Sequence, residues 1–130
     1  MIKKRAALLF SLTTIFFALS AHADVFLKDN TDILGKWKVY AESGKLDGEK
    51  KKLIVEWDFK SDGTLETKST DGGGRTKEMN IAIKYSVADG EIQKQEIPGR
   101  DKYESCKVVE KDGSIMTLKC KYLYYFLAKL

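Results

Sequence analysis

From Leu53 to Phe59 the apolar residues Leu53, Val55, Trp57 and Phe59 take the odd positions, and Glu56, Asp58 and Lys60 alternate with them. Met79, Ile81, Ile83, Tyr85 and Val87 repeat the pattern against Asn80, Lys84 and Ser86. Towards the C-terminus Met116, Leu118, Cys120, Tyr122, Tyr124 and Phe126 share one parity, opposed by Thr117, Lys119 and Lys121. A period of two marks a strand with one buried face and one wet face. Beyond residue 23 no helical period outlasts a turn or two; a short helix over 29–34, capped by Asn30 or Thr31, is the one candidate. The pattern predicts strands over 35–42, 51–60, 64–70, 77–88, 91–97, 102–110 and 114–128. The last is long enough to break near Lys121, which leaves the count at seven or eight.

Turn residues punctuate these segments. Asp-Gly pairs stand at Asp47-Gly48, Asp62-Gly63, Asp71-Gly72, Asp89-Gly90 and Asp112-Gly113, with Pro98-Gly99 as a sixth break. Glycine supplies the positive φ of tight hairpins, and aspartate bonds its own turn backbone. Short strands joined this way form an antiparallel sandwich or barrel. A single open layer would leave two long edges and an apolar face in water, so closure into an up-and-down β-barrel is expected, an all-β fold.

The first 23 residues read differently. Lys3, Lys4 and Arg5 precede an apolar run over 6–19, and Ala21-His22-Ala23 is a small-residue cleavage site. This is the plan of a secretory signal peptide, with an apolar run too short to span a membrane. The expectation is a signal peptide over 1–23 and one domain over 24–130, in a periplasmic or secreted protein. Removing residues 1–23 leaves 20 basic and 19 acidic residues, a net charge of about +1, so nucleic acid loses its electrostatic support as a partner. The only histidine, His22, leaves too. No Ser-His or Cys-His dyad and no histidine metal site is then available, and no cofactor is implied.

Cys106 and Cys120 remain. In an exported chain they are expected to form a disulfide, closing a ring worth about 3 kcal/mol in the chain-entropy account. A hairpin turning at Asp112-Gly113 opposes residues whose numbers total 224–226, and the cysteines total 226. They are therefore directly opposite or one diagonal apart, whereas a register of 225 would put them on opposite faces.

Gly35-x-Trp37 on the first strand, the turn Phe59-Lys60-Ser61-Asp62-Gly63-Thr64-Leu65, the hairpin from Asp112-Gly113 to Leu118 and the aromatic strand over 122–126 together resemble the small bacterial lipocalin-like domain family. The resemblance covers nearly all of 24–130, though the chain is shorter than a full-length lipocalin and lacks its long C-terminal helix. It implies a barrel whose Trp37 packs across the closed end, under a basic residue of the last strand, here Lys129. It also implies non-catalytic binding of a small hydrophobic or amphipathic ligand.

The inward face then holds Val55, Trp57, Phe59, Ile81, Ile83, Tyr85, Leu118, Tyr122, Tyr124 and Phe126, either lining a ligand site or filling the core. Tyr125 falls on the other face with Leu123 and Leu127, an outward stripe for a protein partner or for Val25-Phe26-Leu27 to cover. Asp71-Gly72-Gly73-Gly74-Arg75 is a hairpin turn, since no helix or Lys-Ser/Thr follows to make a phosphate loop. Glu56 and Asp58 point outward on one strand, not across a cleft. No catalytic arrangement emerges. The second reading is a protein-binding module, such as an inhibitor of a secreted hydrolase acting through rim loops 42–50 and 70–76. An isomerase or other enzyme would need an inward Glu or Lys beside a void.

Overall fold

A computed structural model describes residues 24–70 and 77–130. Residues 1–23, where a signal peptide is expected, and most of the 70–76 loop lie outside them. Eight strands follow in order: β1 Gly35–Ser43, β2 Lys51–Phe59, β3 Thr64–Ser69, β4 Met79–Ala88, β5 Glu91–Gln95, β6 Tyr103–Asp112, β7 Ile115–Lys119 and β8 Tyr124–Lys129. Each pairs antiparallel with the next, and β8 returns to β1, closing the barrel. Closure satisfies every edge that an open sheet would leave bare.

The strands run up and down, so their connections sort to two ends. The N-terminal segment, the turns after β2, β4 and β6, and the end of β8 gather at one end. The turns after β1, β3, β5 and β7 gather at the other. The first end is shut. Val25 N–H bonds Val108 O at 2.7 Å and Leu27 N–H bonds Gly90 O at 3.1 Å, which draws Leu27 to 1 % exposure beneath the barrel. Thr31–Ile33 make one 3-10 turn, and Ile33 is fully buried. Asn30 stands at its N-cap without a capping side-chain bond; Asp29 Oδ1 instead accepts from Thr31 N at 2.8 Å.

Trp37 plugs this end at 1 % exposure, its Nε1 donating to Ile33 O at 2.8 Å. Lys129 reaches over it, with Nζ 4.7 Å from the ring centroid and bonded to Leu34 O. Gly35 carries φ +103°, and a Cβ there would lie 2.8 Å from Lys129 Nζ. The G-x-W pair thus has two local causes. The chain turns through a left-handed conformation to enter β1, and the lysine needs room above the indole.

Cys106 and Cys120 are bonded, with Cα atoms 4.1 Å apart. Next to the turn the β6–β7 register is Asp112↔Ile115, totalling 227, and an irregularity between Val108 and Glu110 resets it to Lys107↔Lys119. The inserted residue Val109 restores the total of 226 that puts both cysteines on the inward face.

The C-terminal aromatic strand departs from expectation. The long segment does break, and Cys120 N–H bonds Leu123 O at 2.9 Å across a tight reversal. The new hairpin pairs Met116↔Leu127 and Leu118↔Tyr125, so inward even positions on β7 face odd positions on β8. Tyr125 and Leu127 therefore point in, and the expected outward Leu123-Tyr125-Leu127 stripe does not exist. Val25 and Leu27 seal the shut end instead of covering it.

Candidate functional site

The inward side chains differ between the two ends. In the shut half Leu65, Ile92, Val108, Met116 and Leu127 are fully buried, as is Leu118 opposite Tyr125. In the other half Leu53, Val55, Ile81 and Tyr125 pack against the core yet remain only partly buried. Val25 and Val87 are partly buried at the shut end too, so it is the run of four such residues on β2, β4 and β8 that marks the mouth. An open groove of about 890 Å3 beside the β1–β2 bulge reaches from outer Tyr40 and Ile54 to inward Leu53, Val55 and Ser69. The rest of its lining is mostly outward-facing and leaves out Ile81, Tyr125, Lys94 and Glu104, so the groove runs along the outer rim and is not the barrel interior.

Charge enters this half from β5 and β6. Lys94 opposes Glu104 across the strands, and Tyr85 opposes Lys94, so all three share the inward face. Lys94 Nζ lies 2.8 Å from Glu104 Oε1, with side-chain exposures of only 12 % and 10 %. The ammonium also sits 5.5 Å from the Trp57 ring centroid and 5.9 Å from that of Tyr125. The two rings are 5.2 Å apart and tilted. Glu42 is directly opposed to Tyr125 on β1. Burial, then the nearby carboxylates of Glu104 and Glu42, push the Tyr125 phenol up to about 12. A phenolate there would lose hydration and meet like charge. The mouth therefore joins apolar wall, aromatic faces and one satisfied ion pair.

The candidate lining residues divide accordingly. Val55 and Ile81 stand in the open half, and Ile83 is buried just below Ile81 on the same face of β4; Trp57 is 6 % exposed and directly opposes Trp37 of the shut end. Phe59, Tyr85 and Leu118 are core. Phe59 meets Tyr85 edge-on at 5.1 Å, and Tyr85 Oη donates to Lys60 O at 2.6 Å and accepts from Asn30 Nδ2 at 3.2 Å. The inward orientation expected for Tyr122, Tyr124 and Phe126 is corrected by the hairpin reversal. Tyr122 is 73 % exposed at the turn, Tyr124 is half-buried, and Phe126 is covered from outside by Tyr40 and by Lys50 Nζ, 4.2 Å from its ring centroid. Lys94, Glu104 and Tyr125 were missed by pattern reading. One signal for Glu104 was present: it shares parity with the disulfide-bonded Cys106 two residues on.

Glu104 lies close to both cysteine sulfurs, a grouping with metal-ligand spacing. The sulfurs are joined to each other, which removes the thiolates a metal would need.

The barrel's shape is shared with known structures. A lipocalin-like protein from Bacteroides uniformis superposes with a TM-score of 0.62 at 18 % identity, covering 76 % of this chain and 99 % of that one. The fold is lipocalin-like. An uncharacterized protein from Bacteroides eggerthii aligns with a TM-score of 0.60 at 17 % identity, covering 75 % of this chain and 98 % of its own. By sequence, no protein-family model and no curated protein matches the chain.

Proposed function

We propose that this is an exported lipocalin-like carrier that holds a small hydrophobic or amphipathic molecule at its open end without transforming it. The supporting observation is the half-buried inward wall of Leu53, Val55, Ile81 and Tyr125, apolar area that an occupant would remove from water. Lys94, Glu104 and the Tyr125 hydroxyl offer a polar anchor for the head of an amphipathic ligand. Export to the periplasm or medium agrees with the basic and apolar start of the chain and with the disulfide. An enzyme reading asked for an inward Glu or Lys. Both are present, but each is engaged by the other, and the raised phenol of Tyr125 is a poor proton shuttle near neutrality.

Native mass spectrometry of the disulfide-bonded protein from its own host tests the reading. A small molecule released on denaturation, and loss of 8-anilino-1-naphthalenesulfonate binding on Val55→Arg, is the expected result. A bare mass, with no dye binding by the wild type, would remove the carrier reading. It would leave the protein-binding module acting through rim loops 42–50 and 70–76.

A further inference from the structure

Every described connection at the open end carries an exposed large apolar side chain. Leu46 stands between β1 and β2, Met79 opens β4, Ile97 and Tyr103 flank the β5–β6 turn, and Tyr122 tips the β7–β8 turn. Tyr122 at 73 % and Met79 at 57 % are the most projecting. Single exposed apolar residues are ordinary, and the shut end exposes Phe26, Ile115 and Leu130 as well, so exposure alone does not say what meets the open end.

The charge distribution identifies what. In the described open-end segments 42–52, 77–79, 96–102 and 119–123, nine Lys or Arg residues face six Asp or Glu, with Lys51 paired to Glu42 and both Lys102 and Lys121 to Glu96. In the shut-end segments 24–34, 60–63, 88–91, 110–114 and 128–130, four face eight. The domain is nearly neutral as a whole, so its charge is polarised along the barrel axis with the mouth positive. Tyr122 sits beside Lys121, Leu46 beside Lys45, and Ile97 three residues from Arg100. Apolar tips interleaved with long cationic side chains suit a bilayer interface: the tips enter the headgroup zone and the ammonium groups meet phosphates.

From this we infer that the open end docks face-down on a phospholipid bilayer bearing anionic headgroups. An acidic protein would satisfy the charge but not the apolar layout. Protein interfaces bury a contiguous apolar core, whereas these side chains stand one or two to a loop around a ring. The inference does not depend on what the barrel carries. Docking brings the mouth against the lipid, and the acidic shut end faces away.

Flotation of the processed protein with vesicles tests this, using phosphatidylcholine alone and phosphatidylcholine with about one-third phosphatidylglycerol. Binding is expected to the anionic vesicles and to fall roughly tenfold as NaCl rises from about 0.1 M to about 0.5 M. The variant Leu46→Ser/Ile97→Ser/Tyr122→Ser is expected to bind about tenfold more weakly with an unchanged unfolding midpoint. Ile115→Ser/Leu130→Ser, which trims exposed apolar area at the shut end, is expected to bind as wild type. Failure to float with anionic vesicles overturns the inference. So does equal loss in both variants, or a stable complex with an acidic protein that the rim variant alone releases.

Discussion

Lys94 and Glu104 meet inside the barrel at 2.8 Å, each about nine-tenths withdrawn from solvent. Removing one partner leaves the other desolvated without compensation. Lys94→Met should therefore cost about 2–3 kcal/mol in urea unfolding, and Lys94→Met/Glu104→Leu should recover most of it. A double variant no more stable than the single one would mean that the pair is not the stabilising unit.

Tyr125 sets a limit at alkaline pH. Its folded phenol titrates at about 12, above the ordinary value of 10.0, so the folded protein holds this proton where the unfolded chain releases it. The stabilising contribution is complete below pH 10 and is lost as pH rises through 12. Tyr85 is also raised, chiefly by burial, and acts in the same direction. Tyr125→Phe should flatten the fall in stability across this window. An unchanged pH profile in denaturant titrations would count against the assignment.

At the shut end, Trp37 and Lys129 form one unit. Trp37→Ala should cost about 3–5 kcal/mol, the usual range for emptying a buried indole site. Gly35→Ala should cost roughly 1–2 kcal/mol, because φ +103° suits no L side chain and Lys129 must shift from the indole. Calorimetry gives the stability loss, and a changed Trp37 emission should accompany it. Stability equal to wild type for Gly35→Ala would show that the turn relaxes.

The disulfide joins the start of β6 to the residue after β7. Replacing both cysteines by alanine should cost about 3 kcal/mol by the loop-entropy account, with the far-UV spectrum retained. If the reduced wild type and the double variant unfold at the oxidised midpoint, the bridge contributes nothing to the margin.

Much of the barrel was readable along the chain. Seven of the eight strands lie within a few residues of the alternating segments, and the eighth comes from the break near Lys121 that the sequence left open. These features depend on neighbours in sequence: side-chain alternation along a strand, and Asp-Gly pairs that make a hairpin locally favourable. The cysteine pairing was legible for the same reason, but its register was not: the turn sets a total of 227, and only the bulge at Val109 returns it to 226.

The site was less legible. Tyr125 shares parity with Leu123 and Leu127, but nothing within 122–128 says which face is inside. The tight reversal after Cys120 decides it, because an odd pairing total hands the inward role from even to odd positions. Lys94 and Glu104 were hidden more deeply. Alone, each is a charge that an isolated strand would turn to water; together on adjacent strands they can be withdrawn, since each cancels the other's desolvation. Alternation and turn chemistry are properties of short stretches and survive in the sequence. The inward face, and the partner that makes a buried charge tolerable, exist only once β5, β6 and β8 have come together.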